Sequence, residues 1–206
     1  MRQAERKELT HKKIVDASIK VFADRGLDAA KLEDIAKVAG IGKGSIYNYY
    51  ESKEELYYGI VEYAYSEIFD REDPEIGPDT TLEDVMRFKL TAYYTFAQEH
   101  PDTFKMIFKG MARLDKAWYQ NLRKFFLQHV ERDAEILQRY GIVPEGMGHP
   151  SDELTLVIMS IVDTAIFNWL IEGQNTRLTD KVETLVNMLV GGLERIWQKN
   201  GQGKAK

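Results

Sequence analysis

The chain has 206 residues, 44% hydrophobic and 30% charged, with 28 Lys and Arg against 33 Asp and Glu for a net charge of −5. So much apolar material argues against general disorder and suffices for one large domain, or for a small and a medium one. The absence of cysteine excludes disulfides, thiolate metal sites and iron–sulfur clusters.

Every periodic segment has the helical period. Over 10–25, Ile14, Ala17, Ser18, Val21 and Phe22 make one core-facing stripe, and Gly26 suits a left-handed helix end. A short helix is predicted over 32–39, with Ile35, Ala36 and Ala39 inward. Gly40-Ile41-Gly42 breaks it, and a third helix is predicted over 43–49. Ser52-Lys53-Glu54-Glu55 is a capping box that opens a fourth helix running to about Phe69. Residues 70–80 hold two prolines, a glycine and five acids and read as a loop. Further helices are expected over 81–99, 101–111, 114–140, 152–173 and 179–199, with a Gly/Pro connector at 141–151. No strand alternation and no repeat is visible, so the expected fold is all-α, about nine helices.

Charge is unevenly spread. Residues 1–53 carry +3 and the remainder −8, as expected of a protein that touches phosphate at one end only. No segment reaches roughly 18 consecutive apolar residues and no signal-peptide core is present. A soluble cytoplasmic protein without a membrane partner is therefore expected. His11, His100, His129 and His149 are far apart without ligand spacing, so no metal and no cofactor are expected. No phosphate loop, nucleophile–base pair or carboxylate pair points to an enzyme.

Residues 32–49 have the organisation of a helix-turn-helix: a supporting helix, a glycine turn and a short second helix. Ile41 and Ile46 are expected to bury beneath that second helix. Its outward face would then be Lys43, Gly44, Ser45, Tyr47, Asn48 and Tyr49, donor-rich side chains with a glycine that permits close approach. Lys53, near the start of the next helix, could grip a phosphate together with the helix N-terminal amides.

Residues 10–57 resemble the DNA-binding domain of the TetR family of transcriptional regulators. The resemblance rests on Ile14, Ala17, Phe22, Gly26, Ile35-Ala36, Ala39-Gly40-Ile41, Lys43-Gly44-Ser45-Ile46-Tyr47, Tyr49-Tyr50 and Ser52-Lys53-Glu54-Glu55-Leu56. It implies a recognition helix carrying Lys43, Gly44, Ser45, Tyr47 and Asn48, with Tyr47, Tyr49 and Lys53 near the DNA backbone and Tyr50 structural. It further implies a repressor that leaves a palindromic double-stranded operator when a small, largely apolar or aromatic effector binds. Two positions depart from the family pattern. Lys31 stands where a capping Thr or Ser is usual and cannot accept from the helix amides, though it could touch phosphate; Gly42 replaces a common Ser.

A single reading head makes few contacts, so a homodimer is expected. Two apolar C-terminal helices are either deep core or a four-helix dimer interface; the family resemblance favours the interface, with Met159, Ile166, Leu170, Leu185, Leu189, Gly192 and Ile196 as candidates. The helices over 81–140 are rich in aromatics and methionines. At helical spacing these either fill a core or line a pocket, whose candidates are Phe88, Tyr93, Phe96, Phe108, Met111, Trp118 and Phe125, joined by Asp163 and Phe167 from the penultimate helix. Asp163 interrupts an apolar run and needs a partner if buried. The expected domains are a helix-turn-helix domain at 1–53 and an effector-binding and dimerisation bundle at 54–206. The rival reading is an all-α architectural or partner-binding protein with a non-regulatory helix-turn-helix.

Overall fold

Amphipathic stripes at the 3.6-residue period give nine α-helices among the described residues, which in the computed structural model are 3–69, 74–111, 116–143 and 152–203. They are α1 (Gln3–Ala29), α2 (Leu32–Ala39), α3 (Lys43–Ile46), α4 (Lys53–Phe69), α5 (Leu82–Glu99), α6 (Pro101–Met111), α7 (Lys116–Arg139), α8 (Asp152–Ile171) and α9 (Val182–Gly203). A 3-10 turn, Leu178–Lys181, leads into α9, and no strand occurs among these residues.

The helices form two compact units, 1–67 with 100–120 and 68–99 with 121–206. These do not follow the boundary expected at 53/54. Most of α4, together with α6, packs with the N-terminal helices, because their apolar faces complete that core. In this first unit Ile14, Phe22, Ile35, Ile46, Leu56 and Ile60 are fully buried, with Phe104, Met106 and Ile107 from α6.

Gly26 takes the expected left-handed φ (φ 72°, ψ 172°) and interrupts α1 at a kink, beyond which a further short helical stretch runs to Ala29. Two other expectations for the first unit change in detail. α3 is a helix only to Ile46; beyond it Tyr49 and Tyr50 both donate their amides to the Ile46 carbonyl at 2.9 and 3.1 Å, making a turn instead of another helical step. Ala39 and Ile41 are half-buried, and Ile46 alone fills the space beneath α3. The turn at Gly40 is left-handed (φ 66°, ψ 36°), as its position after α2 requires.

In the second unit α5 packs on α9 around Leu90, Tyr94, Ala97, Val186 and Val190. The Gln98 Oε1 accepts the amides of Leu178 and Thr179 at 3.0 and 3.4 Å and so caps the 3-10 turn that precedes the last helix. Tyr94 Oη donates to the Val162 carbonyl at 3.1 Å and ties α5 to α8.

The segment Glu153–Ile171 of α8 is apolar and long enough, by length and composition, to cross a bilayer, with a mean hydropathy of 1.9. Ser160, Asp163, Thr164 and Asn168 interrupt the run without lowering its mean much, so contiguity alone understates it. Only 22% of that stretch is buried. Val157, Phe167 and Ile171 are exposed, at 53, 46 and 72%.

Candidate nucleic-acid interface and effector cavity

The reading surface is built on Ile46, fully buried beneath α3, and on Ile35 and Ala36 beneath α2. With these inward, Gly42, Lys43, Gly44, Tyr47 and Asn48 are exposed, while Ser45 and Tyr49 are half-buried. Tyr47 is 50% exposed and lies 5.8 Å, ring centroid to ammonium, from Lys43. Lys43 Nζ donates to Glu33 Oε1 of α2 at 2.5 Å. That hydrogen bond holds the Glu33 carboxyl below the ordinary carboxylate range and raises the lysine. The pair is solvent-exposed, so Lys43 is presented on the surface with a weakly held, exchangeable partner.

The other expected DNA residues are placed differently. Lys31 is exposed and its side chain makes no cap; its carbonyl accepts the Asp34 and Ile35 amides at 3.0 and 3.2 Å. Lys53 is the first residue of α4, and its ammonium donates to the carbonyls of Asp28 and Ala30 at 3.2 and 3.1 Å. Two of its three N–H donors therefore hold the end of α1. Tyr49 Oη donates to the Lys7 carbonyl at 2.9 Å, and Tyr50 Oη pairs with His11 Nε2 at 2.8 Å. Both tyrosines thus brace the N-terminal part of α1 against the turn after α3. Spacing offers no signal for these long-range bonds. In the capping box Ser52 Oγ accepts the Glu55 amide at 3.0 Å, while Glu55 reaches back to the Glu51 amide at 2.5 Å, one residue further than expected.

α6 is locked into the same unit. Lys109 Nζ donates to the carbonyls of Ala23 and Asp24, both at 2.6 Å, where α1 approaches its kink. Tyr57 Oη donates to the Met106 carbonyl at 2.8 Å and fills the space that a Cβ on Gly110 would need.

Among the described residues of the second unit, two adjoining cavities have volumes of about 130 and 160 Å³. Leu82, Val85, Ala134, Leu137, Thr155 and Leu193 line the first; Ile68, Phe88, Leu90, Tyr93 and Leu189 line the second. They share Met86, Lys89, Val130, Asp133, Ile158 and Met159. Lys89 Nζ and Asp133 Oδ2 pair at 2.8 Å in the common wall. The lining is mostly aliphatic. Of the expected pocket residues whose side chains are described, Phe88 and Tyr93 face these cavities. Phe96 is buried and lines neither, Phe108 and Met111 stand on α6 in the first unit, and Phe167 is exposed. The side chains of Trp118 and Phe125 lie outside the described residues. Aromatic content points to core residues as readily as to cavity walls, whereas the adaptable methionines Met86 and Met159 do line both cavities.

Asp163 is buried and accepts from Tyr93 Oη at 2.5 Å. Burial pushes its carboxyl up to about 6, with the Tyr93 hydrogen bond pulling the other way. Burial also raises the neighbouring Tyr94 hydroxyl, and the charge of Asp163 adds to that. Among the expected interface residues, Ile166 is fully buried in its own chain, and Leu185 and Leu189 are nearly so. Met159 and Leu170 are half-buried, and Gly192 and Ile196 are exposed.

The family model for bacterial regulatory proteins of the tetR family matches residues 14–58. The chain is 30% identical over 183 residues to the HTH-type transcriptional regulator YhgD of Bacillus subtilis, covering 86% of this chain and 91% of that one. It is 22% identical over 192 residues to the fatty acid metabolism regulator protein of Bacillus subtilis, covering 87% and 93%. The biofilm operon icaADBC negative transcriptional regulator IcaR of Staphylococcus epidermidis is 26% identical over 172 residues, covering 69% of this chain and 93% of its own. The fold superposes on that of the regulator FadR from Bacillus subtilis, solved in complex with stearoyl-CoA, with a TM-score of 0.74, 19% identity and coverage of 88% and 98%. With the head pattern matched and a relative aligned over nearly its whole length, the chain belongs to the TetR family of bacterial transcriptional regulators.

Proposed function

We propose that the protein is a homodimeric repressor whose α2–α3 heads bind a palindromic operator and which a ligand with a long apolar chain, of the acyl-CoA class, releases. The observation that carries the DNA half is the α3 surface, where buried Ile46 leaves Lys43, Gly44, Tyr47 and Asn48 facing solvent together. Exposed Gly42 at the start of α3 and exposed Lys31 at the start of α2 are further candidates, and Lys53 has one N–H left for phosphate. Repression is supported by the naming of IcaR as a negative regulator. The effector class is supported by the mostly aliphatic cavities, and by stearoyl-CoA in the FadR complex. No observation favours the architectural reading. A protein with this role works in the cytoplasm, where its DNA is.

By role, residues 1–53 read DNA and 54–206 bind effector and partner. α5 and α7 supply cavity walls, and α6, the segment between them in the chain, is clamped to α1 and α4 by Lys109 and Tyr57. A ligand that prefers a different arrangement of α5 and α7 would displace α6, and with it the spacing of the two heads. The extent of that change is limited by the ligand's differential affinity for the two arrangements.

The test is fluorescence anisotropy on an operator obtained by selection from random DNA. Lys43→Ala should weaken binding about tenfold and lower the slope of log K against log salt by about one. Glu33→Gln should tighten it, because it frees Lys43 and removes a negative charge facing phosphate. Saturating stearoyl-CoA should release wild-type protein. Unchanged affinity in Lys43→Ala would mean the reading face lies elsewhere, and equal affinity with and without the acyl-CoA would exclude that effector.

A further inference from the structure

Thr155 stands out among the hydroxyl residues of α8. Ser160 and Thr164 donate to the carbonyls four residues back, both at 2.7 Å, as hydroxyls within helices commonly do. Thr155 is 2% exposed, and its Oγ1 has no hydrogen-bond partner. It sits in the first turn of α8 and lines the first cavity, as do Leu137, Val143 and Ile158. A buried hydroxyl without a partner is costly, and native proteins rarely keep one without a use. The first turn of a 20-residue helix adds a favourable field for electron-rich oxygen. The charged groups of the cavity wall, Lys89 and Asp133, are already paired with each other.

We propose that Thr155 is the specificity-determining polar contact of this cavity, donating its hydroxyl to the acyl oxygen of the ligand. The ligand class is an aliphatic chain ending in a carboxylate or thioester carbonyl, with the chain against Met86, Ile158 and Met159. These three side chains belong to both cavities, and the unbranched methionines can adjust to let one chain occupy the two. The inference rests on the acyl-effector reading above and adds to it the residue that reads the head.

The experiment is isothermal titration calorimetry of wild-type, Thr155→Val and Thr155→Ser protein with dodecanoate, dodecanoyl-CoA and dodecyltrimethylammonium, all below micelle formation. Valine keeps the shape and removes the hydroxyl. It should weaken whichever acyl probe binds by about tenfold. Serine should stay within about threefold of wild type, and the quaternary ammonium, which can neither donate nor accept, should bind both variants as it binds wild type. Which acyl probe binds distinguishes the free acid from the thioester. Ligand-free Thr155→Val should melt no lower than wild type, since it loses no hydrogen bond, whereas a merely structural hydroxyl would lower the melting temperature. Acyl binding by Thr155→Val at wild-type strength would overturn this inference while leaving the effector reading intact. Failure of wild-type protein to bind either acyl probe would overturn both.

Discussion

Single residues carry the chemistry of this protein, and several are engaged in ways their positions in the chain do not reveal. Lys53 has the sequence context of a phosphate anchor but spends two donors on the carbonyls of Asp28 and Ala30. Tyr49 and Tyr50 tie down α1. Asp163 is recognisable as needing a partner because it interrupts an apolar run, yet its partner, Tyr93, is 70 residues away. Its carboxyl, raised from 3.8 to about 6, makes a signed prediction. The folded state binds more protons than the unfolded state between these two values. The stability contributed by the neutral carboxyl is therefore complete below about pH 4 and is lost as pH rises through 6. At most about 3 kcal/mol is lost, because a tenfold difference in proton affinity between the two states is worth about 1.4 kcal/mol. Asp163→Asn keeps the acceptor for Tyr93 and cannot ionise. Its melting temperature should gain on wild type as pH increases from about 4.5 to 7; a constant difference across that range would show that Asp163 does not titrate there.

At the scale of elements, helix identity was legible throughout, since periodicity, glycine breaks and capping residues are local signals. Less legible was which helix belongs with which. α6 follows α5 directly in the chain yet shares its core with α1, through Phe104, Met106 and Ile107 and through the Lys109 cap on Ala23 and Asp24. Gly110 marks the tightest point of that packing. A Cβ there would lie 2.9 Å from Tyr57 Cζ and would displace the hydroxyl from the Met106 carbonyl. Gly110→Ala should cost about 1–3 kcal/mol through this clash, despite the better helix propensity of alanine. It should also weaken the coupling between effector and operator, read as the ratio of operator affinities with and without stearoyl-CoA. A variant of unchanged or higher melting temperature would mean that the α4–α6 junction yields without strain.

For the whole molecule, the proposed homodimer raises the question of which surface would meet a second copy. The apolar stripes of α8 and α9 point to an interface, but burial divides each helix into an inner and an outer face. Ile166, Leu185 and Leu189 fall on the inner one. Val157, Phe167 and Ile171 on α8, with Met188 and Ile196 on α9, remain exposed, and they form the surface we assign to the partner. Phe167→Glu combined with Met188→Glu should convert the dimer to a monomer in light scattering with helicity retained. It should also weaken operator binding at least about tenfold, because two joined heads bind as one. A double variant that stays dimeric would place the interface elsewhere.

From residues alone came the all-α class, the order and approximate positions of the helices, the helix-turn-helix head with its exposed Lys43, Tyr47 and Asn48, and the need of Asp163 for a partner. All of these follow from spacing along one element or from the chemistry of one side chain. The walls of the cavities, the unpaired hydroxyl of Thr155, the clamp of α6 on α1 and the outward faces of α8 and α9 were decided only by tertiary structure. An amphipathic pattern says that a face is covered but not by what, so core, cavity and interface look alike until the packing partners are in place.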